Sequence, residues 1–533
     1  MIIPRIKERV NLSGCLAVDN IISCYGCSAD AEFAAGYLAH FIAVRLSCEK
    51  EDAKLFFRKN QSIQQGGYKI DVGNNVTVEY SDSEGLRNGA ATFLGLLFKT
   101  ERGYCVERTK ISDTPDHRYR SVMIDLARGL PDVDRLKEDI RLLSLAKCNY
   151  LHLHLMDSFG MCYDSDVFYS SDAIRGTRRY TKRQIASIVE YCKSLGITVV
   201  PEIEIPAHAT MLVKSFPKLK CKVNFENQSL WAVCAGSTET DIIYDNLIGE
   251  ICELFPGEYI HVGGDELYFN DLPHLDRLCH WEECSVCTAY MRKHNLNGRQ
   301  ALYYDLMRRV HKMVSCRGRK MIMWNDQLDV SAPVPLPKDI IVQFWRIANQ
   351  SRGPRKNCSL AALSDQGFKI INSDFPHCYV DLEEYANPEK TSSFRCDLHH
   401  DSAEPVKEII GAEACAWEYG NPEYTHYLSS FAPSVILLLD KMWNGIDAVY
   451  GKEYRRALTK LLFGPSVPLE YDVFELFGSI MPPRSNEIKT YAPIASELID
   501  AETVLKHIEL LRTLDTYSPV YRNRLLKTFC VEE

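Results

Sequence analysis

No part of this 533-residue chain holds an apolar run of the ~18 residues that a membrane-spanning helix needs, so the sequence offers no candidate transmembrane segment. It also lacks a surplus of positive charge: 62 Lys and Arg face 71 Asp and Glu, a net charge of −9. Nucleic acid wants a basic face, so this balance points to neutral or small partners and away from DNA or RNA. The N-terminal MIIPRIKERV is basic but has no apolar core of about 7–15 residues behind it, as a secretory signal would; the expectation is a cytoplasmic protein. Low-complexity linkers and self-similar repeats of about 20–50 residues are missing too, which argues against solenoids and arrays.

Cysteine, by contrast, is plentiful, with 20 copies. In a large chain without a secretory signal these are expected as reduced thiols, most of them small buried hydrophobes, and not as a disulfide framework. The length exceeds what one compact core supports and suits two or three domains. Residues 1–115 read as a small α+β domain. Gly67–Gly73 and Val76–Tyr80 alternate apolar and polar residues around Asn74-Asn75, a hairpin signal. A helix follows over Ser83–Lys99, with Leu86, Ala90, Phe93, Leu94 and Leu97 on one face.

From residue 116 the pattern turns to strands alternating with helices. Eight candidate strands run in order: Val122–Leu126, Tyr150–Leu155, Ile197–Ile205, Tyr259–Gly263, Met321–Asn325, Ile340–Trp345, Phe368–Asn372 and Ile410–Trp417. Most are continuous apolar runs, as parallel strands covered on both faces require. Thr181-Lys182-Arg183-Gln184 has the form of a capping box, and Gly196 closes that helix. Eight such repeats predict a (β/α)8 TIM barrel over 116–460, the alternative being an open doubly wound sheet. Residues 461–533 read as a C-terminal helical extension, with Pro465 and Pro468 interrupting it and a helix near Ala492–Thr513.

The chemistry gathers at the strand ends. Tyr259-Ile260-His261-Val262-Gly263-Gly264-Asp265-Glu266 is a strand that runs through two glycines into two carboxylates. Adjacent strand side chains face opposite ways, so Asp265 and Glu266 share a site only if the strand breaks, as glycine permits. Acid–base chemistry uses such a pair, one carboxyl charged and one protonated. The other strands end Asp125-Leu126-Ala127-Arg128, His152-Leu153-His154-Leu155-Met156-Asp157, Glu202-Ile203-Glu204-Ile205-Pro206-Ala207-His208, Trp324-Asn325-Asp326, Trp345-Arg346 and Trp417-Glu418. In a TIM barrel these ends form the active site. Aromatic walls with carboxylates and an arginine suit a sugar, whose C–H faces stack and whose hydroxyls hydrogen-bond.

With these motifs in hand, the chain resembles glycoside hydrolase family 20, the β-N-acetylhexosaminidases, over roughly residues 1–460. His-Val-Gly-Gly-Asp-Glu at 261–266 matches the family's catalytic motif, and the Asp-x-x-Arg, His-x-His-Leu-x-Asp and Pro-Glu-Ile-x-x-Pro-x-His motifs match in order. The resemblance implies a retaining, exo-acting enzyme for terminal β-linked GlcNAc or GalNAc. In it the substrate's 2-acetamido group is the nucleophile and an oxazolinium the intermediate, an exception to the two-carboxylate scheme. It implies Glu266 as acid and base, with a partly desolvated setting that raises its pKa, and Asp265 as the residue that orients the acetamido group. It implies Trp324, Trp345 and Trp417 as pocket walls, Tyr379 as a hydrogen bond to the acetamido oxygen, and Arg128 and Glu418 as hydroxyl contacts. His208 and Asp157 stand as supports, His154 less firmly, and no cofactor enters the chemistry. Departures are Glu204 where the family has Asp, Ala207 where it has Gly, Ser158 in place of a second Asp, and Tyr419 at the position of the family's Trp-x-Glu glutamate. The last leaves the GlcNAc-versus-GalNAc preference open. A disaccharide-releasing relative of the same fold and a catalytically silent glycan binder are the rival readings.

After the catalytic strand comes His274-x4-Cys279-x4-Cys284-x2-Cys287. This spacing fits a structural zinc set of His274, Cys279, Cys284 and Cys287, and equally a group of reduced thiols.

Overall fold

The computed structural model describes residues 1–168, 171, 177–226, 228–267, 278–346, 358–380, 388–398, 405–418, 432–445, 448–468 and 470–474, with single positions and short pieces between 506 and 526. Of the helix expected near Ala492–Thr513, residues 506 and 508–512 are described and are helical, and the rest lie outside the described residues, as do His274 and Tyr419.

The N-terminal part is an eight-stranded sheet carrying two helices, Ala29–Ala39 and Ser83–Leu96. The expected hairpin is present: Tyr68–Val72 pairs antiparallel with Val76–Tyr80, Ile70 opposite Val78. Asp82 caps the second helix by accepting from the Gly85 amide at 2.8 Å. That helix stops at Leu96, short of the expected Lys99. Leu97–Thr100 is instead a strand paired with Gly103–Asp113, because the Gly103 turn (φ +122°) folds a partner strand directly back onto it. Among the described residues Cys27 and Cys48 are disulfide-linked, and the other described cysteines are free and mostly buried.

The eight expected barrel strands all form. They are Tyr119–Asp125, Tyr150–His154, Thr198–Ile205, Tyr259–Gly263, Lys320–Trp324, Ile341–Phe344, Lys369–Asn372 and Ile409–Ala416, all parallel and closed into one barrel. The Thr181–Gln184 capping box is formed, and Gly196 is left-handed at +66°.

Alternate residues point into the barrel and stack in layers. At the bottom Tyr119, Val200, Ile322, Ile341 and Ile371 pack together. Two residues further along each strand the interior turns polar. Glu202 accepts from Trp324 Nε1 at 2.8 Å and meets His261 Nδ1 at 2.8 Å, His154 Nδ1 at 2.5 Å and His152 Nε2 at 3.2 Å. Glu413 meets the other nitrogen of His152 at 2.8 Å and Gln343 Nε2 at 2.6 Å. Burial alone would raise both carboxyls, but His261, His154 and His152 hold Glu202 well below its ordinary range, and His152 with the Gln343 amide lowers Glu413. Burial works against protonated His152, yet Glu413 and Glu202 raise it to about 10.

The sheet domain and the barrel meet through a second buried charge. Asp113 Oδ2 accepts from Tyr68 OH (2.8 Å), Trp443 Nε1 (3.0 Å) and Lys147 Nζ (3.3 Å), while Lys147 lies 3.9 Å from the centroid of the Trp443 ring. Nearby, buried Arg87 donates to the Ser144 and Cys148 carbonyls. Removing one member of a fully buried pair strands the other charge, at a cost of about 3–5 kcal/mol. Asp113→Ala is therefore expected to lower the thermal midpoint clearly, whereas Lys110→Ala, which breaks the exposed Lys110–Asp71 pair, leaves it nearly in place. Equal midpoints for the two variants in a thermal melt would refute the assignment.

Candidate active site

The fourth barrel strand ends in a built turn. Gly263 and Gly264 take φ of +64° and +96°, and a Cβ on Gly263 would stand 2.1 Å from a Glu204 carboxylate oxygen. Tyr303 OH fixes the turn by donating to the Gly264 carbonyl at 2.6 Å. Glu266 follows at φ +49°, left-handed without being glycine. Its amide donates to Asp326 Oδ2 (3.0 Å) and its carbonyl accepts from Trp231 Nε1 (2.9 Å). The break expected from the two glycines thus exists, and it turns both carboxylates toward His208.

His208, itself at φ +51°, stands between three acids. Its Nδ1 is 2.9 Å from Asp157 Oδ2, and its Nε2 is 3.2 Å from Glu266 Oε2 and 3.6 Å from Asp265 Oδ2. Asp157 is shared further: Arg128 Nη2 lies at 2.6 Å and His154 Nε2 at 3.4 Å. Arg128 also bonds Asp125 at 2.9 Å and sits over the Trp417 ring at 5.1 Å. Asp125 in turn accepts from the Glu418 amide at 3.0 Å, which ties the first and eighth strand ends together. The aromatic side is continuous. Trp324 and Trp417 are 6.1 Å apart, Tyr379 and Trp417 5.9 Å, and Trp345 stacks on Tyr379 at 5.9 Å. Trp345 Nε1 donates to Asp326 at 3.3 Å, so the aromatic wall and the Glu266 backbone share one carboxylate.

Electrostatics separate these acids. Burial would raise Asp157, but His208 and Arg128 hold it well below the ordinary range. Burial works against protonated His208, and Asp157 and Glu204 outweigh it, keeping the imidazole cationic well above neutrality. Asp265 goes the other way. Burial lifts it to about 7, with Asp326 and Glu266 adding to the lift and His208 opposing it. Glu204, close to the Gly263 turn, is also raised well above its ordinary range, by burial and by Asp265. Oδ1 of Asp265 is buried and has no hydrogen-bond partner among the described residues. Several strongly perturbed groups gathered at one barrel rim single it out as the candidate site.

The structure therefore brings together Asp265, Glu266, Arg128, His208, Trp324, Trp345, Tyr379, Trp417, Glu418 and Asp157 at one barrel rim. It adds Trp231, which sequence reading did not single out, and gives Asp125 and Asp326, named there only as parts of strand-end motifs, a place in the network. Asp125 and Asp326 sit in the strand-end motifs and were open to notice. Trp231 lies in the long third loop, where nothing in the spacing marks it.

The cysteines differ from the set expected by spacing. Sγ atoms of Cys221, Cys234, Cys284 and Cys287 all lie within 4.8 Å of one another. Cys279 is buried but is not one of these four, and His274 is outside the described residues. The Cys-x2-Cys pair looks backward to the third loop for its partners, because that loop and the segment after the fourth strand are neighbours on the rim.

A closed parallel (β/α)8 barrel with paired carboxylates, a clamped arginine and aromatic walls at its C-terminal rim, set behind an N-terminal sheet domain, is the architecture of a barrel glycosidase. The model for the glycosyl hydrolase family 20 catalytic domain matches residues 117–445, and that for family 20 domain 2 matches residues 1–114. The chain belongs to glycosyl hydrolase family 20. It is 30% identical over 257 residues to a beta-hexosaminidase of Porphyromonas gingivalis, covering 45% of this chain and 31% of that protein. With a beta-hexosaminidase of Vibrio furnissii it shares 25% identity over 419 residues, 73% of this chain and 64% of the relative. The chain thus spans less than two thirds of the length of these curated relatives. Among solved structures, the beta-N-acetylhexosaminidase of Bacteroides fragilis matches with a TM-score of 0.73 at 22% identity, covering 86% of this chain and 94% of that one. An exo beta-N-acetylglucosaminidase of Vibrio harveyi, in complex with N-acetylglucosamine, matches with a TM-score of 0.72 at 20% identity, covering 86% and 76%.

The shifts make Asp265 a group that changes charge near neutrality. Its infrared carboxyl signal, taken as wild type minus Asp265→Asn, is expected to titrate with a midpoint near 7. His208→Asn, which removes the opposing cation, should move that midpoint upward. A midpoint near the ordinary 3.8 would contradict the burial described.

Proposed function

We propose that the chain hydrolyses terminal β-linked N-acetylhexosaminides as an exo-acting, retaining glycosidase whose nucleophile is the substrate's own acetamido carbonyl oxygen. The observation that carries this reading is the turn at Gly263-Gly264. It presents two adjacent carboxylates to one imidazole, while aromatic rings wall the opposite side. The relatives known as beta-hexosaminidases, and the N-acetylglucosamine held by the Vibrio harveyi neighbour, support the substrate class.

Glu266 protonates the glycosidic oxygen and then takes the proton of the incoming water. His208, cationic and anchored by Asp157, faces Glu266 Oε2 and holds it in place. Asp265, in its anionic form, accepts the acetamido N–H, turns the carbonyl oxygen toward the anomeric carbon and offsets the positive charge of the oxazolinium. Trp324, Trp345 and Trp417 enclose the acetamido group, and Tyr379 OH donates to its oxygen. Arg128 and Glu418 hold ring hydroxyls. The substrate is a glycan ending in N-acetylhexosamine, and no step needs a cofactor.

Aryl β-GlcNAc and β-GalNAc glycosides test this directly. Turnover of either is expected, and their ratio gives the sugar preference. Glu266→Gln should lose on the order of 10²–10⁴-fold in kcat on a substrate with a poor leaving group, and less on an activated aryl glycoside, which needs little protonation. Asp265→Asn should lose activity on both. An aryl β-glucoside, with no acetamido group, should not be cleaved; efficient cleavage would rule out the substrate-assisted route. Turnover of disaccharide but not monosaccharide aryl glycosides would replace the exo-monosaccharide reading with a disaccharide-releasing one. Folded protein that binds the sugars without cleaving them would mark a silent binder.

A further inference from the structure

Four cysteine sulfurs from two separate segments converge on one point beside the active-site rim. We propose that Cys221, Cys234, Cys284 and Cys287 form a structural zinc site. Cys234 Sγ is 3.7 Å from Cys284 Sγ and 3.5 Å from Cys287 Sγ, and no pair among the four exceeds 4.8 Å. Four sulfurs around zinc at ~2.3 Å define a tetrahedron with edges of ~3.8 Å, so the cluster closes on a single ion with small adjustments. An iron–sulfur cluster needs a wider cage than this. All four side chains are buried, and no disulfide links any of them. Isolated cysteines acting as small hydrophobes have no reason to gather their sulfurs in this way.

The surroundings favour thiolates. Cys284 occupies the N-cap of the Ser285–Lys293 helix and Cys287 lies in its first turn, where the helix dipole and free amides stabilise negative charge. The Lys222 amide, one residue after Cys221, donates to Cys284 Sγ at 3.2 Å, and the Lys222 carbonyl accepts from the Ser285 amide at 3.0 Å. Four thiolates on a dication leave a net charge of −2, and an amide donating to sulfur, as that of Lys222 does to Cys284, is what a buried tetrathiolate requires. The packing is tight: a Cβ on Gly236 would stand 2.8 Å from the Cys287 Cα and 3.0 Å from the Val286 carbonyl.

The ion would tie two rim segments together. One holds Cys221 and Cys234 and, between them, Trp231, whose indole donates to the Glu266 carbonyl and packs 4.3 Å from the His208 ring. The other begins the helix that follows the catalytic strand. The metal is thus a clamp on the support of Glu266, with all four of its coordination positions filled by protein, and takes no part in bond breaking.

Element analysis of the full chain purified from zinc-replete cells, with no chelator, tests the site. About one zinc per chain is expected. Cys234→Ser and Cys287→Ser should lose it, and Cys279→Ser should retain it. Refolding with cobalt(II) should give the strong thiolate-to-cobalt charge-transfer absorption and intense visible bands of a tetrahedral thiolate site. These readouts do not depend on glycosidase activity, so they stand or fall separately from the proposed reaction. Folded wild-type protein without zinc that gives no cobalt spectrum would overturn the proposal. So would a disulfide mapped within the four, iron in place of zinc, or loss of metal in Cys279→Ser with retention in Cys234→Ser.

Discussion

The Glu202 carboxylate in the middle of the barrel is the point on which the rest of the site rests. It touches His152 and His154 of the second strand, His261 of the fourth and Trp324 of the fifth. A bare anion at that depth would be prohibitively costly; with two hydrogen-bond donors, His154 and Trp324, and two further imidazoles around it, it becomes a hub that sets the spacing of three strands beside its own. His154 then reaches Asp157, Asp157 reaches Arg128 and His208, and His208 reaches Glu266. A continuous chain of charged contacts therefore runs from the barrel core to Glu266 at the rim.

This chain explains how two neighbouring carboxylates acquire different characters. Asp157 lies among cations and stays ionised; Asp265 lies among anions, in a dry setting, and is lifted toward neutrality. The difference comes from burial and from neighbours on several strands: His208 and Arg128 beside Asp157, and Asp326 with the adjacent Glu266 beside Asp265.

The strand order and the rim residues were legible in the sequence because parallel strands buried on both faces read as apolar runs, and polar residues at their ends stand out against that background. The inward polar layer was harder to see. Glu202, His152 and Glu413 sit inside apolar runs, and only their mutual distances show that they neutralise one another. The helix beyond Ser83 was expected to run too far because Leu97 and Phe98 suit either a helix face or an edge strand, and a distant pairing decides between them. The cysteine set was misjudged for a related reason. Spacing along one segment shows the Cys284–Cys287 pair, but the partners Cys221 and Cys234 come from another loop of the barrel, more than 45 residues upstream, and only the folded rim brings them near.

Three residues that are not glycine, His208, Glu266 and Glu418, hold left-handed backbone at the rim, at φ of 51°, 49° and 52°. Such a conformation costs of order 1–3 kcal/mol at each position. Glycine would relieve that strain at all three places, but at His208 and Glu266 it would delete a side chain that meets the others in the site. A substitution that relaxed the backbone here would therefore raise stability and remove a site side chain in the same step. Stability and the placement of these side chains are thus set against each other at the same backbone positions.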